Sequence, residues 1–338
     1  MKCSLLFFLF CPFGLLAQDF KPYNNYDFVA GEKILFEDHF TTDENGEFAS
    51  HWKLEGGQGV VNKMEDDKIF SFTKYYTIIS PLMKTKTYLP DEYTIEFDAW
   101  QDVAYDSNDG VYLVFRNGTE VIAKLKTNNA YTTCEFPGGR LQGDHPTTVR
   151  AENFYNKWHH YAIAVKGKQM KVYCDEYRVL VVPDDNFKAG SLAIGGDPSE
   201  NMNMLFKDFK LAAGGGMNML GKKFTDTKIV THGINFDYNK ASIKPQSIGT
   251  LNGIMQLMKD NPTVKFEVGG HTDNDGEDGY NLKLSQQRAD AVKTQLMKMG
   301  IDAARLTTKG YGKAKPISNN NTPEGKANNR RVEFVKIN

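Results

Sequence analysis

The chain has 338 residues, 41 of them Lys or Arg and 42 Asp or Glu, giving a formal net charge of −1. That length accommodates about two domains of ordinary size. The balanced charge excludes a global field that would draw in nucleic acid or an anionic membrane. No cofactor is implied by any motif.

The first 17 residues read as an export signal. Lys2 supplies a positive start, residues 5–16 are almost entirely apolar, and Ala17 is a small residue at a cleavage point. Leu15, three positions before the end, is bulkier than the usual residue there, which leaves the cut undefined. The apolar run falls short of the ~20 residues of a membrane span. No later segment holds 18 uninterrupted apolar residues, so the mature chain is expected to have no membrane-spanning segment. Phe8, Leu9 and Phe10 are too bulky for a lipoprotein signal ahead of Cys11. Loss of the signal removes Cys3 and Cys11 and leaves Cys134 and Cys174. An oxidising compartment permits one disulfide between them. Two separate half-buried thiols suit the sequence equally, because the Cα separation that a bridge requires is not written in it.

Residues 18–31, polar and aromatic without a period, read as a connector. Residues 32–213 predict an all-β domain. Strand composition appears at 93–100, 110–115, 120–126, 159–165, 169–174 and 177–182, punctuated by turn signals such as Arg116-Asn117-Gly118 and Lys166-Gly167-Lys168. Many short strands with such punctuation predict a β-sandwich or barrel. Gly214, Gly215 and Gly216 then open a flexible linker, 214–227, because three glycines in a row cost too much backbone entropy inside an element.

From residue 228 the period changes. A strand at 229–236 precedes a helix that Pro245 opens, with Ile248, Leu251, Met255 and Met258 on one face. Asn261-Pro262 ends it. Val264, Phe266 and Val268 alternate as in a strand. A second helix, about 279–299, carries Leu282, Ser285, Ala289, Val292, Leu296 and Met299, and Gly300 caps it. Strands at 306–310 and 331–335 follow. The order β-α-β-α-β…β predicts an α/β sandwich, a mixed sheet with helices on one face. The fold class is therefore multidomain, a β-sandwich followed by an α/β sandwich at 228–338.

In this last third, Ile234 to Asn239, the run Val268-Gly269-Gly270-His271-Thr272-Asp273-Asn274, Tyr280-Asn281-Leu282-Lys283-Leu284-Ser285-Gln286-Gln287-Arg288-Ala289, Gly310-Tyr311-Gly312 and Asn329-Arg330-Arg331-Val332-Glu333 stand in the order and spacing of the OmpA C-terminal family, which 228–338 resembles closely. The resemblance implies periplasmic peptidoglycan binding through the diaminopimelate of the stem peptide. It places Asp237, Thr272, Asn281, Leu284 and Arg330 around the pocket. A free diaminopimelate end bears an ammonium and a carboxylate on one carbon. Asp273 suits the first, and Arg288 suits the second with a two-pronged bond that Lys cannot copy. Arg288 is expected near the start of its helix, where backbone N–H groups would favour the same carboxylate. Alone, the pair also reads as a plain structural salt bridge. Adjacent Arg330 and Arg331 point to opposite faces if in a strand, which leaves Arg330 for the site. The acidic run 273–279 imitates a calcium loop, but Asp278 and Leu284 occupy the positions that need Gly and Glu. A polar lip is expected there, with no metal.

The front domain resembles the concanavalin-like jelly-roll superfamily through Phe36-Glu37-Asp38-His39-Phe40, the run from Trp158 to Val165, and Phe206-Lys207-Asp208-Phe209-Lys210-Leu211. Glucanases of that superfamily carry Glu-x-Asp-x-x-Glu; here Glu96 and Asp98 are followed by Gln101, which cannot shuttle a proton. Trp100 and Trp158 suit a sandwich core as well as sugar stacking. His159 and His160 show no metal-ligand spacing. The expected function is a noncovalent cell-wall anchor in the periplasm, not an enzyme, with a recognition or structural module in front. Any tie to the outer membrane needs a protein partner or a lipid. The alternatives are a wall-tethered carbohydrate-active enzyme and a subunit of a larger envelope machine of the secretion or gliding type.

Overall fold

The structure, a computed structural model, describes residues 26–102, 109–167, 169–183, 188–215 and 228–337. The expected export signal, residues 18–25 of the expected connector and residues 216–227 of the expected linker lie outside the described residues.

The front domain consists of two antiparallel sheets, of eight and seven strands among the described residues, sharing one hydrophobic core. Strand Tyr93–Gln101 is central to the larger sheet. It pairs with Trp158–Lys166 on one side and Met204–Ala213 on the other, and Lys33–Asp38 lies along the latter's far edge. Period-two alternation sends Ile95 and Phe97 into the core between the sheets, with Tyr161 and Ile163 beside them. Thr94, Glu96 and Asp98 point the other way, and they are buried too. The outer face is covered. Tyr26, Phe28 and Ala30 pack on Ala162, Ala164 and Tyr173, with Ile248 of the C-terminal domain against the same patch. Asp27 fixes this arm, accepting from Lys171 Nζ at 2.6 Å and Tyr173 Oη at 2.8 Å. The described end of the expected connector is thus a packed layer between the domains.

Cys134 and Cys174 lie on strands of different sheets, Tyr131–Phe136 and Gln169–Cys174. Both are buried in the shared core and are not joined in a disulfide. Of the two alternatives the sequence left open, the structure holds separate thiols.

The C-terminal domain runs from strand Lys228–Thr231 through α1 (Ile248–Asp260), strand Lys265–His271, α2 (Asp278–Lys298), strand Leu306–Gly310 and α3 (Pro323–Asn329) to strand Arg331–Ile337. Its sheet is mixed. Lys265–His271 pairs parallel with Leu306–Gly310 and antiparallel with Arg331–Ile337. Phe266, Val268, Val332 and Phe334 meet Leu251, Ile254 and Met258 of α1 and Ala289, Val292 and Leu296 of α2 on one face. Three details differ from expectation. The first strand stops at Thr231, and Phe236 makes only a single bridge to Ile243. Leu282 is 54% exposed, off the buried stripe. The short helix α3 was not expected. Its seven residues carry no apolar stripe, but Thr322 caps it by accepting the Gly325 N–H at 3.0 Å, and Pro323 occupies its first turn. Among the described residues, no helix is long and apolar enough to cross a membrane.

α3 also joins the domains. The Asn328 amide donates to the Ile34 carbonyl and accepts the Ile34 N–H, both at 2.9 Å, which satisfies backbone groups on the edge strand Lys33–Asp38.

Candidate functional site

Strand Lys265–His271 delivers Thr272 and Asp273 to one end of the C-terminal sheet. Asp273 is 8% exposed. Its Oδ1 accepts the Asp275 N–H at 3.1 Å, which turns the chain back, and its Oδ2 accepts from Arg330 Nη1 at 2.6 Å. The other terminal nitrogen of Arg330 pairs with Glu37 of the front domain. Arg331 takes the opposite side, donating to Glu333 at 2.8 Å. Thr272 donates to the Asp273 carbonyl at 2.9 Å, and Asn281 Nδ2 to the Asp275 carbonyl at 2.7 Å. Both side chains hold the 273–279 lip, and Leu284 is buried beneath. Two lip carboxylates are taken by lysines, Asp275 by Lys326 and Asp278 by Lys313, each at 2.6 Å.

Arg288 lies ten residues beyond the first residue of α2, about 15 Å along the axis. The helix N-terminus therefore cannot share a carboxylate with it, contrary to the expectation from sequence. Its guanidinium lies over the Phe236 ring, 4.9 Å from the centroid, and its Nε donates to the Lys240 carbonyl at 3.0 Å. Its two terminal nitrogens make no hydrogen bond among the described residues. Burial pulls its pKa below the ordinary arginine value, and Arg330 adds to this, while Tyr280 and Asp273 oppose it. Asp273 and Arg288 thus share one electrostatic neighbourhood without bonding to each other. Asp237, in the turn just after Phe236, is half-buried and lines a cleft between the domains.

From Glu37 a partly buried ionic seam follows the domain boundary. Lys210 Nζ stands 3.9 Å from both Glu37 and Glu96, and His39 contacts Glu37 at 3.6 Å and Asp208 at 2.6 Å. Asp208 reaches Lys244 of the C-terminal domain at 3.4 Å. His160 bonds to Asp98 at 2.7 Å and stands 3.6 Å from Glu96. Burial opposes the charge on Glu37, yet Arg330 and His39 hold its carboxyl well below the usual range. For His160 too, burial works against protonation, but Asp98 and Glu96 raise its pKa to about 9. Apart from Glu37 and His39, which are near neighbours, the partners are far apart in the chain and their pairing was not legible in the sequence; Arg330 and Glu37 are 293 positions apart.

Glu96 and Asp98 stand on the outer face of their strand, whereas Gln101 is buried on the opposite parity. Folding also places Cys174 and Asp175 beside His159, a set of three metal-ligand types that chain spacing hid. Both ring nitrogens of His159 are already engaged, Nδ1 with Asp175 and Nε2 with the Phe154 carbonyl, each at 2.9 Å.

Residues 235–330 match the OmpA family model. The C-terminal unit is an OmpA family domain. Over 100 residues it is 46% identical to outer membrane porin F of Pseudomonas fluorescens, covering 30% of this chain and 31% of that protein. Over 102 residues it is 45% identical to the probable lipoprotein YiaD of Escherichia coli (strain K12), covering 30% of this chain and 47% of that one. A protein named peptidoglycan-binding protein ArfA, from Mycobacterium tuberculosis (strain ATCC 25618 / H37Rv), is 41% identical over 102 residues, 30% of this chain and 31% of that protein. The matches thus span 31% to 47% of the length of these relatives. Among solved structures, the peptidoglycan-associated lipoprotein of Burkholderia pseudomallei is 28% identical, covering 36% of this chain and 98% of that one, with a TM-score of 0.30. In this chain the OmpA family domain carries Asp273, Arg288 and Arg330 together, while Glu37 comes from outside it.

Proposed function

We propose that the protein is a noncovalent cell-wall anchor of the periplasm, whose OmpA family domain binds the diaminopimelate of peptidoglycan stem peptides. The state of Arg288 carries this reading. A guanidinium stacked on Phe236 and tethered through Nε to a carbonyl is already oriented, and its two terminal nitrogens have no protein acceptor among the described residues. Such a fork matches a carboxylate bidentately and loses little side-chain entropy on binding. The ligand's ammonium goes to Asp273. Arg330 and the Asp275 N–H use part of that carboxylate's acceptor capacity and leave further lone pairs for it. The relative named a peptidoglycan-binding protein supports the ligand class.

The front domain, in this reading, is a concanavalin-like sandwich that recognises or braces rather than catalyses. Gln101, which stands where the glucanase pattern has its second glutamate, cannot shuttle a proton and lies on the face opposite Glu96 and Asp98.

The test is retention on purified sacculi. Wild type is expected to sediment with them and to be released by free diaminopimelate. Arg288→Ala and Asp273→Ala are each expected to cut retention at least tenfold while thermal melts show a folded chain. Undiminished retention of folded Arg288→Ala sinks the assignment.

A further inference from the structure

The two domains enclose a cleft of about 490 Å³, within the size range of small-molecule sites. Trp158, Asp98, His160 and Glu176 line it from the sandwich, and Asp237 and Lys244 from the OmpA family domain. Three of its charged groups already have partners: Asp98 with His160, Asp175 with His159, and Lys244 with Asp208. The Glu176 and Asp237 carboxylates make no hydrogen bond or ion pair among the described residues. Two unmatched carboxylates therefore remain, one from each domain. That balance disfavours phosphates and acidic peptides and favours a ligand rich in O–H or N–H donors. Trp158 adds an aromatic surface, with Lys207 Nζ 4.4 Å from its ring centroid. An indole beside carboxylate acceptors suits a sugar ring, whose C–H face packs on the aromatic while its hydroxyls donate to the acids.

The cleft and the wall site share a wall. The turn that begins at Phe236 and ends at Lys240 supports Arg288 at both of those residues, and Asp237 between them lines the cleft. The ionic seam from Arg330 through Glu37, His39 and Asp208 ends at Lys244, which lines the cleft, so both sites belong to one fixed domain arrangement. We propose that the interdomain cleft binds a sugar residue of the wall glycan, so that the sandwich and the OmpA family domain hold the glycan and the stem peptide of one wall fragment together. This rests on the peptide-binding reading above.

Calorimetric titration of the full mature chain with two probes separates the two claims. One probe is the stem tripeptide ending in diaminopimelate; the other is the same tripeptide carried on its wall disaccharide. Wild type is expected to bind the disaccharide–tripeptide at least tenfold more tightly. Trp158→Ala and Glu176→Gln should each erase that gain and leave tripeptide affinity unchanged, whereas Arg288→Ala should weaken both probes. If Trp158→Ala fails to fold, the half-exposed Glu176→Gln decides. Equal affinity of wild type for both probes, or a gain that survives Glu176→Gln, overturns the proposal. Disaccharide binding that depends on Glu176 but is indifferent to Arg288→Ala upholds the cleft and overturns the peptide reading instead. Absence of binding by either probe overturns both.

Discussion

Arg288 offers a fork, and a lysine would offer a point charge. If the two terminal nitrogens grip a carboxylate, Arg288→Lys keeps the charge but loses the second prong, the Nε bond to the Lys240 carbonyl and the planar stack on Phe236. The affinity for a diaminopimelate tripeptide is expected to fall about tenfold or more by calorimetry, with only a small change in melting temperature. A lysine variant that binds like wild type would mean that charge alone suffices. At this scale the sequence was informative about identity and poor on partnership. Asp273 and Arg288 stood out through their place in a motif, but the bond between Asp273 and Arg330 did not, nor did the reach of Glu37 into the same cluster. Side-chain pairing depends on distances that only the folded chain sets. The position of Arg288 along α2 was misjudged for a simpler reason. Counting back to the helix start gives nearly three turns, too far for the terminal N–H groups to matter.

Between strand and helix, the frame of the site depends on two glycines. Gly270 and Gly310 are register partners in the parallel pair, and α2 lies directly on them. A Cβ on Gly270 would sit 2.1 Å from the Ser285 carbonyl oxygen, and one on Gly310 would sit 2.5 Å from the Gln286 nitrogen. Gly270→Ala must therefore lift α2 off the sheet, at a cost of about 1–3 kcal/mol. It should also weaken sacculus retention, because Arg288 rides on that helix. Gly279→Ala is the internal contrast, since nothing lies within 4 Å of a Cβ there. It should be neutral or stabilise by up to ~0.5–1 kcal/mol in denaturant unfolding. Equal behaviour of the two variants would show that the close approach does not matter. Elements with a clear period were legible in the chain: α2, the strand Leu306–Gly310 and the central strand of the sandwich. α3 was not, because seven residues containing a glycine and two asparagines show no stripe. Its Thr-Pro start was the only signal, and it is a weak one without a helix to follow.

The whole molecule is where the sequence misled most. Alternation along Tyr93–Gln101 sets Thr94, Glu96 and Asp98 on the face away from the sandwich core, as a solvent-facing row would be, yet all three are buried at the domain interface. A buried seam of opposite charges obeys the same period as a wet surface, so the pattern alone cannot separate them. The consequence is a strong pH dependence. Burial alone would lower the pKa of His160, but Asp98 and Glu96 raise it from 6.5 to about 9. The folded state therefore holds a proton that the unfolded chain sheds between those values. Its stabilisation, about 3 kcal/mol by linkage, is complete below pH 6.5 and lost as pH rises through about 9. His39, raised to about 10 against burial by Glu37 and Asp208, acts in the same direction, but its side chain is 41% exposed and solvent screens it. The opposite limb comes from histidines buried neutral. Burial lowers His145 to about 4 and pulls His232 and His271 down as well, so their contribution is lost as pH falls from 6.5 through those lower values. Below about 4.5, the depressed carboxyls of Glu37 and Glu96 add to that loss, because burial is outweighed there by Arg330 and Lys210. The melting temperature of the full chain should therefore peak near pH 6.5 and decline on both sides. His160→Gln should flatten the decline between pH 7 and 9.5 and leave the acid limb as it was. A wild-type melting temperature that stays level across pH 7 to 9.5 would mean that Asp98 and Glu96 do not hold the His160 proton in the folded chain.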